Sequence, residues 1–348
     1  MDPKKNLRVS HSSITDFNNC LRLYYFKNIY RNPKTGNRVQ IVNPYLSLGS
    51  VVHDTIDEVV NFSPSRRSKI SLLKKFDKVW SNYSGRRGGF ISEKQEIEFR
   101  KRGELMIKKV QRSELLKKKS FKKEDDLMKI NLFDGVELVG AFDWIEILPD
   151  NTFHIIDFKT GRSMEGKNSL QLPIYQFLAQ KNYNQKVKKL SYWYLDKDNE
   201  PRANQINSTK FSELLIRKKA FEMKNKIDVG NFSCDSKYHK CFWCRSYEGV
   251  ISGQAEYIGL DERKEKDLYY LIDTKDIIKK IDHEEFLNED EKTILKMRLD
   301  KKTVSQIQEE VSLSKKKLEL SVKEIKTKIK NNLTNKELRV FVNRLGEN

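Results

Sequence analysis

Gly140-Ala141-Phe142-Asp143-Trp144, followed by His154-Ile155-Ile156-Asp157-Phe158-Lys159-Thr160-Gly161, is the stretch that decides the fold. Pro149-Asp150-Asn151 between the two halves is a turn signal. Asp143 and Asp157 each stand seven residues from Asp150. A symmetric hairpin would set them opposite each other on one face, with Cβ atoms about 4.5–5.5 Å apart. Two carboxylates that close repel unless a hard cation lies between them. Mg²⁺ bonds oxygen at about 2.0–2.1 Å, so the gap fits one ion. Lys159 is two residues past Asp157 and points to the same face. A lysine there can orient or polarise an attacking water. The plainer alternative is a salt bridge on a surface hairpin. Against it, Phe153-His154-Ile155-Ile156 reads as a buried strand, and ending a buried strand in Asp and Lys is costly unless they have a task.

Working outward, residues 126–159 have strand character, and Asp134-Gly135 is a strong hairpin turn. The pattern predicts a three-stranded antiparallel meander. A helix is predicted over about 169–181, a strand over 190–195 and a long helix over about 210–226. On the N-terminal side, one helix is predicted over 10–30, with Ile14, Phe17, Leu21, Tyr24 and Tyr25 at helical spacing. A loop covers 31–46. A second helix starts near Leu48 and carries Val52, Ile56, Val59 and Val60, and helices over 66–82 and 92–120 follow. Residues 251–283 look like a connector with some helix, and from Asn288 onward the pattern is purely helical. The fold class is therefore mixed α/β (α+β), a mixed sheet flanked by helices, followed by a small all-α unit.

The formal net charge is +19. Such an excess favours a polyanion as partner. No apolar run approaches the length of a membrane span, and the start of the chain has no apolar core for a signal peptide. These features point to the cytosol and to nucleic acid rather than lipid. Four cysteines in a reducing compartment do not make a disulfide framework.

Five motifs in order resemble the RecB/AddB-like branch of the PD-(D/E)XK nucleases over about residues 8–250. They are Ser10-x-Ser12-x-Ile14-x-x-Phe17-x-x-Cys20-x-x-x-Tyr24, Gly49-x-x-x-His53, Gly140-x-x-Asp143, Asp157-x-Lys159-Thr160-Gly161, and Gln171-Leu172-x-x-Tyr175. The resemblance implies a restriction-endonuclease-like core. It implies Mg²⁺ or Mn²⁺ held by His53, Asp143, Asp157 and the Phe158 carbonyl. Gln171 and Tyr175, one helical turn apart, would line the groove and meet phosphate. By itself a histidine on an apolar helix is usually a core residue, and Tyr175 could be packing. Leu21 stands where the family often has proline.

The cysteines are Cys20, Cys234, Cys241 and Cys244. The resemblance implies that one N-terminal and three C-terminal thiolates surround a [4Fe-4S] cluster. The family's usual order puts the last cysteine after the close pair, whereas here Cys234 precedes it. Zinc on four thiolates is the alternative. Either would clamp the first helix to the end of the domain.

At the C-terminus, Asn288, Thr303 and Ser314 are expected to cap three helices, the last opening with Lys315-Lys316-Lys317. A short helix, a tight turn and a longer helix make the helix-turn-helix plan, and the segment resembles the C-terminal DNA-binding domain of sigma factors. A protein-interaction module is the alternative. The predicted organisation is a nuclease domain over 8–250, a connector over 251–283 and a helix-turn-helix domain over 284–348.

The expected function is a metal-dependent deoxyribonuclease, an exonuclease in DNA repair, recombination or processing. Asp143, Asp157, Lys159, Gln171 and Tyr175 would form its catalytic set. Lys117, Lys118, Lys119, Lys122 and Lys123 would hold the DNA backbone. The rival from another class is a catalytically silent DNA-binding factor on a nuclease scaffold. With no P-loop in the chain, any helicase or recombination partner would be a separate protein.

Overall fold

The computed structural model describes residues 6–121, 127–204, 209–234, 241–272, 274–284, 286–300, 302–334, 337–338 and 341. Lys122 and Lys123 lie outside the described residues. The chain opens with β1 (Leu7–Val9), α1 (His11–Asn19) and α2 (Leu21–Tyr24), which runs into a π-helical turn at Tyr25–Ile29. Next come β2 (Arg38–Ile41), α3 (Pro44–Val60), α4 (Pro64–Arg67), α5 (Leu72–Trp80) and α6 (Glu93–Arg112). The central part holds β3 (Met128–Phe133), β4 (Val136–Gly140), β5 (Trp144–Ile147), β6 (Phe153–Lys159), α7 (Gln171–Tyr183), β7 (Val187–Tyr194), β8 (Arg202–Asn204) and α8 (Thr209–Asp228). The rest is α9 (Arg245–Ile251), β9 (Ala255–Asp261), β10 (Lys266–Leu271), α10 (Thr274–His283), α11 (Glu289–Leu299), α12 (Val304–Val311) and α13 (Lys315–Asn332). No helix among the described residues is long and apolar enough to cross a membrane.

Among the described residues the strands form three sheets, in the orders β1-β4-β3, β2-β10-β9 and β5-β6-β7-β8. The β5-β6 pair is antiparallel and the β6-β7 pair parallel, so the central sheet is mixed. Every residue of β6 except Lys159 is buried. That is the expected signature of a strand covered on both faces. Ile155, Phe153, Leu190 and Tyr192 pack with α7 and α8 residues such as Phe177, Leu178 and Ile216. Ile156, Phe158, Trp144 and Trp193 pack on the other side with Val52, Ile56, Phe76 and Ile107 from α3, α5 and α6. The period of two along β6 thus feeds two cores at once.

Several sequence expectations are corrected. The helix predicted over 10–30 is broken at Cys20, whose φ of −171° and ψ of 127° are extended. The meander is not continuous, because β4 and β5 belong to different sheets. The free edge of β5 is instead taken by residues 119–121: Phe121 N–H donates to the Ile145 carbonyl at 2.8 Å and Ile147 N–H to the Lys119 carbonyl at 2.8 Å. The predicted loop over 31–46 contains β2, which pairs in parallel with β10. The segment 251–283 carries the β9-β10 hairpin and α10 as well as connection. The helix predicted over 92–120 ends at Arg112, where Ser113 turns extended.

Three expected caps are present. Asn288 accepts from Glu291 N–H, Thr303 from Gln306 N–H and Ser314 from Lys317 N–H. Ile294, Leu295, Ile307, Leu318, Ile325 and Ile329 form the core of the terminal helices. Arg86 joins this part to the rest, with Nη1 on Glu256 at 2.6 Å and Nη2 on the buried Glu337 at 2.8 Å.

Candidate active site

The central hairpin has the symmetric register that its turn demands. Trp144 pairs with Ile156 and Ile147 with Phe153, which puts Asp143 in line with Asp157. Asp143 sits just before β5 and makes a ladder-like bond with its side chain: Phe158 N–H donates to its Oδ2 at 2.7 Å. The Lys159 carbonyl accepts from Leu195 N–H on the β7 side. Carbonyls alternate sides along a strand, so the Phe158 carbonyl faces the Asp143 side, where the resemblance puts a metal ligand. α7 packs closely over Gly140, where a Cβ would lie 2.7 Å from Leu178 Cδ1 and 3.5 Å from Tyr175 Cε1. That approach brings Tyr175 in beside the carboxylates.

His53, on α3, donates from Nδ1 to Asp143 Oδ1 at 3.1 Å. Burial works against charge on this imidazole, but the attraction and hydrogen bond of Asp143, and then Asp157, raise its pKa to about 9. Asp157 is 3% exposed. Burial first, and the neighbouring Asp143 second, push its carboxyl up to about 7 against the pull of Lys159 and His53.

Asp157 is the hub of the site. Its Oδ1 accepts from Gln171 Nε2 at 2.8 Å and from the Tyr175 hydroxyl at 3.3 Å. Gln171 Nε2 also reaches the Tyr175 oxygen at 3.2 Å. Lys159 Nζ lies 3.0 Å from Asp157 Oδ2 and 3.0 Å from Glu165 Oε1, and donates to Gln171 Oε1 at 2.6 Å. Asp157 Oδ2 is buried and has no aligned hydrogen-bond donor, only the ammonium ion beside it. Burial opposes the charge on Lys159, but the two carboxylates outweigh it and hold the group firmly protonated.

Asp143, Asp157, Lys159, Gln171, Tyr175 and His53 are therefore brought together. A buried, incompletely bonded carboxylate oxygen beside a second carboxylate is a donor set suited to a divalent cation. His53, Asp143 and Asp157 do not close into one tight ligand group; among the described residues, only the cysteines do.

Glu165 was missed by sequence reasoning. It lies in the segment between β6 and α7, where no periodicity marks its direction. His11 was missed too; its Nε2 is 3.3 Å from the hydroxyl of Ser169 in the same segment. Lys117 and Lys118 bond acidic neighbours, Glu114 at 2.7 Å and Glu146 at 3.1 Å. Lys315, Lys316 and Lys317 are exposed at the start of α13.

Cys20, Cys234, Cys241 and Cys244 converge, with all four sulfurs within 4.8 Å of one another. The extended backbone at Cys20 turns its thiol out of the helical path toward the other three, so the break in the first helix has a purpose. Burial opposes ionisation of Cys241, but backbone N–H groups of Cys244 and Trp243 and the neighbouring thiols bring its pKa down to about 7.

A candidate exonuclease from Eubacterium rectale, of known structure, is similar over 68% of this chain and 86% of its own, at 16% identity and a TM-score of 0.43. No curated protein sequence matches. Residues 8–331 match the sequence profile of the PD-(D/E)XK nuclease superfamily. The matched span contains the His53 helix, both carboxylate strands and the Gln171–Tyr175 helix, and the chain belongs to the PD-(D/E)XK nuclease superfamily.

Proposed function

We propose that the protein is a Mg²⁺- or Mn²⁺-dependent nuclease that hydrolyses DNA phosphodiesters at the Asp143–Asp157–Lys159 site. The observation that carries this reading is the buried Asp157 carboxylate, shared by Lys159, Gln171 and Tyr175 and facing Asp143. Asp143, Asp157, His53 and the Phe158 carbonyl would hold the cation, which supplies a charge to stabilise the phosphoryl group in the transition state.

The chain's own residues do the rest. Lys159 is held protonated, so it cannot accept the proton of the attacking water. It acts as a donor that positions that water or the phosphate oxygen it approaches. Water oxygen forms the new bond to phosphorus and gives up a proton to bulk solvent, one ester P–O bond breaks, and the leaving oxygen takes a proton from solvent. Tyr175 and Gln171 fix the Asp157 carboxylate, so its orientation is set before substrate arrives. A catalytically silent DNA-binding factor has no use for this costly buried set.

Metal and protons compete for the same atoms. His53 with a pKa of about 9 and Asp157 at about 7 are both protonated at low pH. Raising the pH deprotonates first Asp157 and then His53, and each proton released frees a ligand. Mn²⁺ affinity, followed through the loss of the free-ion electron paramagnetic resonance signal, is expected to be about tenfold or more tighter at pH 8 than at pH 6. A flat affinity over that range would show that these two groups do not bind the ion. Failure of the parent to bind Mn²⁺ more tightly than Asp143→Ala would remove the metal site from the proposal.

The C-terminal helices are proposed as a second DNA-binding surface. Supporting this are the overall charge of +19 and the exposed Lys315, Lys316 and Lys317 at the start of α13, after a tight turn in which Ser312 has a φ of 52°. Replacing these three lysines by Ala keeps a good helix former at each position. Affinity for long duplex should fall, and the slope of log affinity on log salt should become shallower by about 0.9 for each phosphate the variant no longer neutralises. Turnover of a short substrate should stay close to that of the parent. Unchanged affinity and slope would assign the module to a protein partner instead.

A further inference from the structure

The four cysteines carry an inference of their own, independent of the nuclease reading. A [4Fe-4S] cube binds each thiolate to a different iron at a different corner, so its four sulfurs stand apart around eight inorganic atoms. A single ion gathers all four onto itself. With zinc–sulfur bonds of about 2.3 Å, a tetrahedral site has sulfurs about 3.8 Å apart along each edge. In this chain Cys20 Sγ and Cys234 Sγ are 3.8 Å apart, and no pair among the four exceeds 4.8 Å. That spacing matches one ion and leaves no room for a cube. The cluster implied by the family resemblance does not fit.

The surroundings agree. Cys20 sits at the break between α1 and α2, Cys234 follows α8, and Cys241 and Cys244 form a tight knuckle that opens α9. Arg245 N–H donates to the Cys241 carbonyl at 3.1 Å, closing this knuckle, and the backbone N–H groups of Trp243 and Cys244 point at the Cys241 sulfur. Donors of this kind orient a thiolate and spread its charge when it is metal-bound. Leu23, Phe26, Tyr25, Tyr30 and Tyr247 pack around the thiols, and Phe26 stacks on Tyr247 with ring centroids 5.7 Å apart. An apolar shell drawn this tightly suits a small closed structural site. Four thiolates in tetrahedral array, with no other ligand grouped with them among the described residues, select zinc among the common divalent ions.

We infer that Cys20, Cys234, Cys241 and Cys244 hold one tetrahedral Zn²⁺ that ties the first helix pair to the segment after α8. The test uses the full chain, expressed with ample iron and purified without oxygen, so that a cluster would survive. Elemental analysis and acid-labile sulfide are measured on the same sample. The expected result is a colourless protein with one zinc per chain and no sulfide. Exchange of that zinc for Co²⁺ should give the intense visible bands of a tetrahedral tetrathiolate, and Cys234→Ser should weaken and shift them. A brown protein with four irons and four sulfides per chain would overturn the inference. So would a chain isolated without metal whose reduced thiols give no such cobalt spectrum. The cobalt titration reads ligand geometry directly, so the conclusion stands even where a cysteine variant proves unstable.

Discussion

Asp157→Ala is expected to lower DNA cleavage by about 10³-fold or more while duplex affinity stays near that of the parent. The carboxylate is a proposed metal ligand and also the common acceptor of Gln171 and Tyr175. Its removal takes away the ion's anchor and frees both neighbours to turn. A bound cation supplies several kcal/mol of transition-state stabilisation, and each 1.36 kcal/mol is about tenfold in rate, which gives roughly three decades. Binding is spared because it rests on many dispersed cations rather than on the site. Lys159→Ala should lose a comparable rate by a different route, with Mn²⁺ binding retained, since the lysine is no ligand. Single-turnover cleavage of a labelled duplex, set beside a binding isotherm, measures both. An Asp157→Ala protein that cuts at the parent's rate would place the chemistry elsewhere.

The second large effect concerns stability. Arg67 is 1% exposed, yet among the described residues its hydrogen bonds go to carbonyls and a hydroxyl rather than to a carboxylate. Its Nε donates to the Phe62 carbonyl at 2.7 Å, and Nη1 to the carbonyls of Lys118 at 3.1 Å and Leu116 at 3.4 Å. Nη2 reaches the Ser120 hydroxyl, and the guanidinium lies 4.8 Å above the Trp144 ring. The side chain therefore pins α4 to residues 116–120, which lead into the 119–121 strip that covers the free edge of β5. Arg67→Ala strands buried carbonyls and leaves a cavity, at a cost of about 3–5 kcal/mol. Lys117→Ala, which breaks only an exposed pair with Glu114, should cost under about 0.5 kcal/mol. Urea midpoints of the two variants make the comparison. A destabilisation below about 1 kcal/mol for Arg67→Ala would mean that water or a neighbour replaces the guanidinium at no great cost.

What was legible in the sequence had short-range causes. A turn at Asp150 with equal arms dictates the Asp143–Asp157 register, and the observed pairing of Trp144 with Ile156 agrees. The spacing of Gln171 and Tyr175 sets both on one face of α7, and both reach Asp157. Asn288, Thr303 and Ser314 signalled three helix starts because a cap acts within three residues. What was hidden depended on distant partners. β2 looked like loop because its ladder among the described residues is with β10, more than 200 residues on. The meander failed because residues 119–121 compete for the edge of β5, a choice that no local pattern encodes. Cys20 broke a helix whose apolar spacing was intact, and the reason lies in thiols brought in from 234–244. Glu165 left no trace, since its role comes only from where its loop folds back onto Lys159.

The most direct measurement is incubation of the purified full chain with end-labelled single- and double-stranded DNA in Mg²⁺, in Mn²⁺ and in EDTA. The expected result is cleavage of at least one substrate with either ion and none with EDTA. The products would also show whether cutting starts at an end. Intact DNA in all conditions, or cleavage that persists in EDTA, would contradict a metal-dependent nuclease built on Asp143, Asp157 and Lys159.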